Sequence, residues 1–128
     1  MSLTITIPRF ETERLILRAP QVGDFPTFEA FMGSDRARFV GGPLTDRWQS
    51  WRAFAHLTSM WVLRCYGIFA IERRDSGAVI GCAGPWEPVT WPEPELSWSI
   101  WSPADEGRGF VTEAIRVIHG WVFNDLGW

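Results

Sequence analysis

Lysine is missing altogether: the 12 basic residues of this 128-residue chain are all arginine. A catalytic Schiff base or a general-base amine needs a titratable lysine, so enzyme classes built on one are excluded. Cysteine is scarce too. Cys65 and Cys82 have no C-x-x-C spacing and sit in apolar sequence, which reads as two buried free thiols in a reducing compartment rather than a disulfide framework or a zinc site. No apolar run approaches the ~20 residues that cross a bilayer. The opening Met1–Phe10, with Leu3, Ile5 and Ile7 alternating like a strand before Pro8 and Arg9, is not the apolar core of a signal peptide. The protein is therefore expected in the cytoplasm, with no membrane partner. Charge of one sign is also lacking: at a formal net charge of −3 there is no general pull toward nucleic acid, and none is expected as a partner.

What the chain does have is bulk. It is 46% hydrophobic and 21% charged, the balance of a globular protein, with nine tryptophans and nine phenylalanines. Most of these aromatics recur with helix or strand periodicity, so they are read as core rather than as a stacking surface. The length fits a single domain, residues 1–128.

Glu13–Arg18 is predicted as a first strand, with Leu15 and Leu17 on one face. Asp24 is placed to cap a short helix carrying Pro26 in its first turn and ending near Gly33. Thr45 or Asp46 then caps a longer helix to about Arg64, with Trp48, Trp51, Ala55 and Val62 on one face and Phe54, Leu57 and Trp61 widening it. From Tyr66 the period becomes two: Tyr66–Glu72 and Ala78–Trp86 form a hairpin around Asp75-Ser76-Gly77, and Glu95–Trp101 follows after Pro88, Pro92 and Pro94. The segment Ala104–Gly109 leads into the clearest helix, where Val111, Ala114, Ile115, Ile118, Trp121 and Val122 make one apolar face up to Asn124 or Asp125. The order β-α-α-β-β-β-α predicts an α+β fold with a sheet that is largely antiparallel at first.

The stretch Ser99–Ala114 combines a strand, a loop bearing Gly107 and Gly109, and a helix start. Unpaired N–H groups and roughly +0.5 elementary charge at a helix start suit a phosphate or diphosphate, and glycine lets the backbone approach such an anion closely. Neither a Walker loop nor a dinucleotide fingerprint is present. A plain glycine turn into a helix is the other reading of the two glycines alone.

Pro103-Ala-Asp-Glu-Gly-Arg-Gly-Phe-Val-Thr-Glu-Ala114 resembles motif A of the GNAT superfamily of N-acetyltransferases, in particular the branch of ribosomal-protein N-terminal acetyltransferases. Agreement falls at Pro103, Gly107, Gly109, Phe110, Thr112, Glu113 and Ala114. The segment Thr12-Glu-Arg-Leu-Ile-Leu-Arg18 is similar to the strand with which that branch opens. The resemblance implies a mixed, mostly antiparallel sheet flanked by helices, here cut off after the motif-A helix. It implies acetyl-CoA as cosubstrate, lying along Ser99, Ile100 and Trp101, with its diphosphate received by the loop Glu106, Gly107, Arg108, Gly109, Phe110, Val111 and Thr112. Arg108 would add positive charge. Glu106 stands where the family has Arg, Gln or Trp, and must point away from a diphosphate to be tolerated. Val111 replaces a small residue.

Acetyl transfer requires an amine freed of its proton and a donor for the developing oxyanion. Glu95 matches a glutamate of the family's motif-A strand and is the expected base; Glu93 and Glu87 are weaker candidates. Backbone N–H groups of Trp98–Ile100 would serve the oxyanion. Trp86, Trp91 and Trp98 would line a pocket for a small-molecule or peptide amine. His56 and His119 lack metal-ligand spacing and are read as structural, and no metal is expected. The family continues beyond this helix with a further strand, a helix carrying a proton donor, and closing strands. The single tyrosine, Tyr66, does not match that donor. Two expectations follow: a fragment of a longer protein, or a homodimer or larger oligomer covering the open sheet edge, with Met1–Phe10 folding back over it should the chain be a monomer. The alternative function is a catalytically degenerate or truncated CoA-binding or dimerisation module.

Overall fold

The computed structural model describes residue 2 and residues 4–128. Five strands lie in chain order across one sheet: β1 (Phe10–Glu11), β2 (Leu15–Arg18), β3 (Phe69–Arg73), β4 (Val79–Trp86) and β5 (Glu95–Ile100). Every neighbouring pair is antiparallel. Three helices flank the sheet: α1 (Phe25–Met32), α2 (Arg47–Leu63) and α3 (Phe110–Asn124). No helix among the described residues is long and apolar enough to cross a membrane.

The two-residue period of the strands divides the core in two. Leu15, Leu17, Phe69, Ile71 and Ala83 meet Phe110, Ala114, Ile118, Trp121 and Val122 of α3. On the other side Ile68, Cys82 and Trp101 meet Phe25, Phe28, Phe31 and Met32 of α1 and Phe54 of α2. Opposite Ile71 and Glu72 stand Gly81 and Val79, leaving Ile80 as an extra residue that turns into the α3 cluster. Such a bulge sharpens the local twist of the strand that leads to Trp86.

The α3 face is the one expected from its spacing, except that Val111 and Ile115 are only half buried. The α2 face is not. Ser50, Phe54, Met60 and Trp61 are buried, while Trp48 and Val62 are 62% and 57% exposed. The run Phe54, Leu57, Trp61 faces inward because Trp61 reaches past the helix end, stacks 5.0 Å from Phe69 and donates its indole N–H to the Ile68 carbonyl at 2.9 Å. Asp46 caps α2 by accepting from the Trp48 N–H at 2.9 Å. Asp24 makes no such bond to α1: its carboxylate accepts two bonds from Arg18, at 2.9 and 2.8 Å, and one from the Gln21 N–H.

Tyr66–Ile68 are not in a strand, because Cys65 turns the chain out of α2 with φ 64. That turn leaves Cys65 exposed rather than buried; only Cys82 is the buried thiol expected. Met1 and Leu3, part of the proposed fold-back, lie outside the described residues. Ile5 and Ile7 are in no strand, and the pairing that follows them, β1 on β2, is at the opposite edge of the sheet from β5. The described residues of the N-terminal segment therefore pair with β2 and not with β5. Among the described residues nothing pairs beyond β5.

Candidate active site at the open edge of the sheet

The register of β5 decides which backbone groups are free. The Trp101 N–H donates to the Ile80 carbonyl at 2.7 Å, so the odd-numbered residues of β5 bond to β4. In an antiparallel ladder the residues between them turn their N–H and C=O outward. Leu96, Trp98 and Ile100 therefore present their main chain at the free edge, whereas the Ser99 N–H belongs to the ladder. Of the three amides expected to face an oxyanion, those of Trp98 and Ile100 point outward from the ladder and that of Ser99 does not.

From β5 the chain passes through a 3-10 turn, Pro103–Asp105, into Gly107 and Gly109, both in the left-handed region at φ 71 and 78. A side chain at either position is strained by roughly 1–2 kcal/mol. Gly109 is the N-cap of α3 and receives the Glu113 N–H at 3.1 Å, which leaves the N–H groups of Phe110, Val111 and Thr112 as the free donors of the helix start. Phe110 itself is buried, with the guanidinium groups of Arg14, Arg73 and Arg108 at 4.3, 5.3 and 5.3 Å from its ring centre. Arg73 is held by Asp75 and by the buried Asp105. Arg108 is 49% exposed and only 3.9 Å from Asp105, so its charge is the least committed.

Glu106 points away from the helix start. Its carboxylate accepts two bonds from Arg36, whose guanidinium also donates to the Ile100 and Trp101 carbonyls at 2.7 and 3.0 Å. Arg36 was not legible as a site residue, since its partners lie 64 to 70 residues away. It closes the C-terminal end of the β5 edge, so the carbonyls of Ile100 and Trp101 are engaged there. The Trp101 side chain is buried, packed 5.3 Å from Phe28, and donates to Ser99 Oγ at 3.0 Å.

Two cavities flank this edge. Trp98, Val111, Thr112, Ile115, Arg116 and His119 line a groove of about 470 Å³ along α3. On the other face a pocket of about 410 Å³ brings together Glu95, Trp86, Trp91 and Trp98 with Ser97, Ser99, Phe31 and His56. His56, read from the sequence as structural, lies with its ring 5.0 Å from Trp86 on the pocket wall. Glu93 and Glu87 are not in that lining, and Glu87 accepts the Tyr66 hydroxyl; Glu95, which is in it, is itself exposed. Burial pushes the Cys82 thiol, beside Ser99, up to about 11. It stays protonated at neutral pH and is no nucleophile.

Glu113 joins the two segments that carry the sequence resemblance. It accepts the Thr12 hydroxyl at 2.5 Å, the Arg14 N–H at 2.9 Å and Arg14 Nε at 2.6 Å, while Arg14 Nη1 donates to the Arg108 carbonyl at 2.9 Å. Desolvation alone would raise the carboxyl; the bonds from Thr12 and Arg14 outweigh it and hold Glu113 below the ordinary carboxylate range. A lowered folded pKa contributes stability that is present above the unfolded value, about 4.3, and lost as pH falls through the folded value. Glu113→Gln is expected to cost about 2 kcal/mol at neutral pH. Urea denaturation should show the wild-type advantage shrinking below about pH 4; a pH-independent difference would contradict this.

A family model described as an acetyltransferase (GNAT) domain matches residues 14–128. Among solved structures, the acetyltransferase from Agrobacterium tumefaciens strain C58 is 35% identical with a TM-score of 0.87, over 100% of this chain and 74% of that one. The acetyltransferase (GNAT family) from Bacillus anthracis aligns at 13% identity and TM-score 0.72, over 94% of this chain and 69% of that one. The ribosomal-protein-S5-alanine acetyltransferase from Vibrio fischeri aligns at 16% identity and TM-score 0.67, again over 94% and 69%. At those lower identities the likeness is one of fold alone. No curated protein gave a significant match.

Proposed function

The chain belongs to the GNAT acetyltransferase family, whose chemistry is acyl transfer, and on that premise we propose that it moves the acetyl group of acetyl-CoA onto a primary amine. The observation that carries this reading is Trp98, which lines both the α3 groove and the aromatic pocket. A donor held on one side of β5 and an acceptor held on the other meet at that residue, on the strand whose outward amides are free.

The α3 start fits a diphosphate: free N–H groups at Phe110, Val111 and Thr112, two glycines in left-handed conformations, and nearby carboxylates already engaged, Glu106 by Arg36, Asp105 by Arg73 and Glu113 by Thr12 and Arg14. When bound, acetyl-CoA supplies an activated thioester. Phe110–Thr112 and Arg108 would hold its charged end, and the outward Trp98 and Ile100 amides would serve as donors to the developing oxyanion. Glu95 removes the proton from the ammonium, directly or through water. In the proposed direct transfer the neutral amine forms the C–N bond as the thioester C–S bond breaks, and the leaving thiolate takes up the second amine proton; Cys82, buried and protonated, offers no thiolate to intercept the acyl group.

The experiment is thiol release from acetyl-CoA, followed with and without an amine. Release that requires both the protein and an amine is expected. A panel of primary amines and free peptides that produced none, with the protein folded, would contradict the proposal.

A further inference from the structure

We propose that the acceptor is a primary amine borne on an aromatic body and free of anionic groups; this rests on the acetyl-transfer reading above and adds the substrate class. The lining of the 410 Å³ pocket contains one carboxylate, Glu95, and no arginine. In a chain whose only basic side chains besides histidine are twelve arginines, that exclusion has chemical content. The nearest ones lie outside that lining. Arg36 is bound to two carbonyls and Glu106 behind Phe31, Arg38 lies 4.8 Å over the ring of Phe39 at the rim, and Arg52 opens on a neighbouring shallow cleft. Of the other titratable groups on the wall, His56 lies against Trp86 and Cys82 is buried beside Ser99. A substrate carboxylate or phosphate would meet the like charge of Glu95 there, with no guanidinium in the lining to pair with, which disfavours it. An ammonium finds Glu95 and the faces of tryptophans.

The aromatic part of the proposal stands on two rings. Trp91 and Trp98 are 42% and 51% exposed, and among the described residues neither stacks on another aromatic ring nor donates its indole N–H. Most other tryptophans of the chain have such a partner: Trp51, Trp61, Trp86, Trp101, Trp121 and Trp128. Two indoles left unpartnered on the wall of one pocket, beside its single carboxylate, make a cradle for a flat apolar group with a cationic end.

Calorimetry on the protein with CoA present tests this with phenethylammonium, n-butylammonium and 3-phenylpropionate as probes. Phenethylammonium is expected to bind at least about fivefold more tightly than either of the others; a smaller ratio, or the reverse order, overturns the proposal. Trp91→Ala, at an exposed position that folding does not depend on, should abolish the preference over n-butylammonium, and a preserved preference overturns the role of the indoles. Turnover with acetyl-CoA separates two sources of this chemistry: acetylation of phenethylamine identifies a small molecule, and acetylation only of an amidated peptide beginning with phenylalanine identifies a polypeptide. Acetylation of neither overturns the proposal, and thiol release with other amines would then leave the transferase reading standing. Failure to bind CoA in the first titration would instead remove that reading.

Discussion

Glu95→Gln is expected to lower turnover at neutral pH by about a hundredfold or more, while CoA affinity changes by less than about twofold. Glu95 begins β5 opposite Trp86 and lines the acceptor pocket, on the face away from the α3 groove. The substitution keeps shape and hydrogen-bonding capacity and removes only the ability to take a proton. The deficit should therefore narrow at high pH, where the amine arrives already neutral. Steady-state rates across pH, paired with CoA titrations, check both halves. An equal loss of rate and affinity, or no loss, takes Glu95 out of the reaction.

Gly109→Val should produce the largest effect on the cosubstrate, a loss of CoA affinity of about a hundredfold or more. Gly109 holds φ 78 at the N-cap of α3, where a β-branched residue is strained, and on the proposed reading a side chain there would crowd an incoming diphosphate. Its nearest neighbour within the protein, Arg14 Nη2 at 3.5 Å, leaves room for a Cβ, so the variant should still fold. Gly109→Ala, strained but smaller, should fall in between. Circular dichroism confirms the fold, and calorimetry with CoA reads the affinity. Unchanged binding in a folded Gly109→Val protein would mean that the glycine loop is only a turn.

Local signals were legible in the sequence and contacts between distant segments were not. The apolar spacing of Ala114, Ile118, Trp121 and Val122 placed α3 correctly, and the alternation after Phe69 placed β3 and β4. The start of β3 was misread because Tyr66 and Ile68 keep the alternation while Cys65 bends the backbone into a turn. On α2, spacing put Trp48, Trp51, Ala55 and Val62 on one apolar face, yet the inward face is set by where Trp61 meets Phe69.

The site shows the same division. Gly107 and Gly109 could be singled out because their role is local to one turn. Arg36 could not, since its partnership with Glu106 depends on how the α1–α2 connection folds over the end of β5. That pairing also explains how a carboxylate is tolerated beside the α3 start. Thr12 and Arg14 were noticed as part of a resemblance, but nothing in their spacing revealed that both bind Glu113 of the other matching segment.

The meeting of the two cavities at Trp98 is tested most directly by a bisubstrate conjugate, in which the sulfur of CoA is joined through an acetyl bridge to phenethylamine. Calorimetry should find it bound about a hundredfold or more tightly than CoA alone, because one molecule fills the α3 groove and the aromatic pocket together. A conjugate that binds no better than CoA would mean that the groove and the pocket do not open onto one another, and would contradict transfer across the edge of β5.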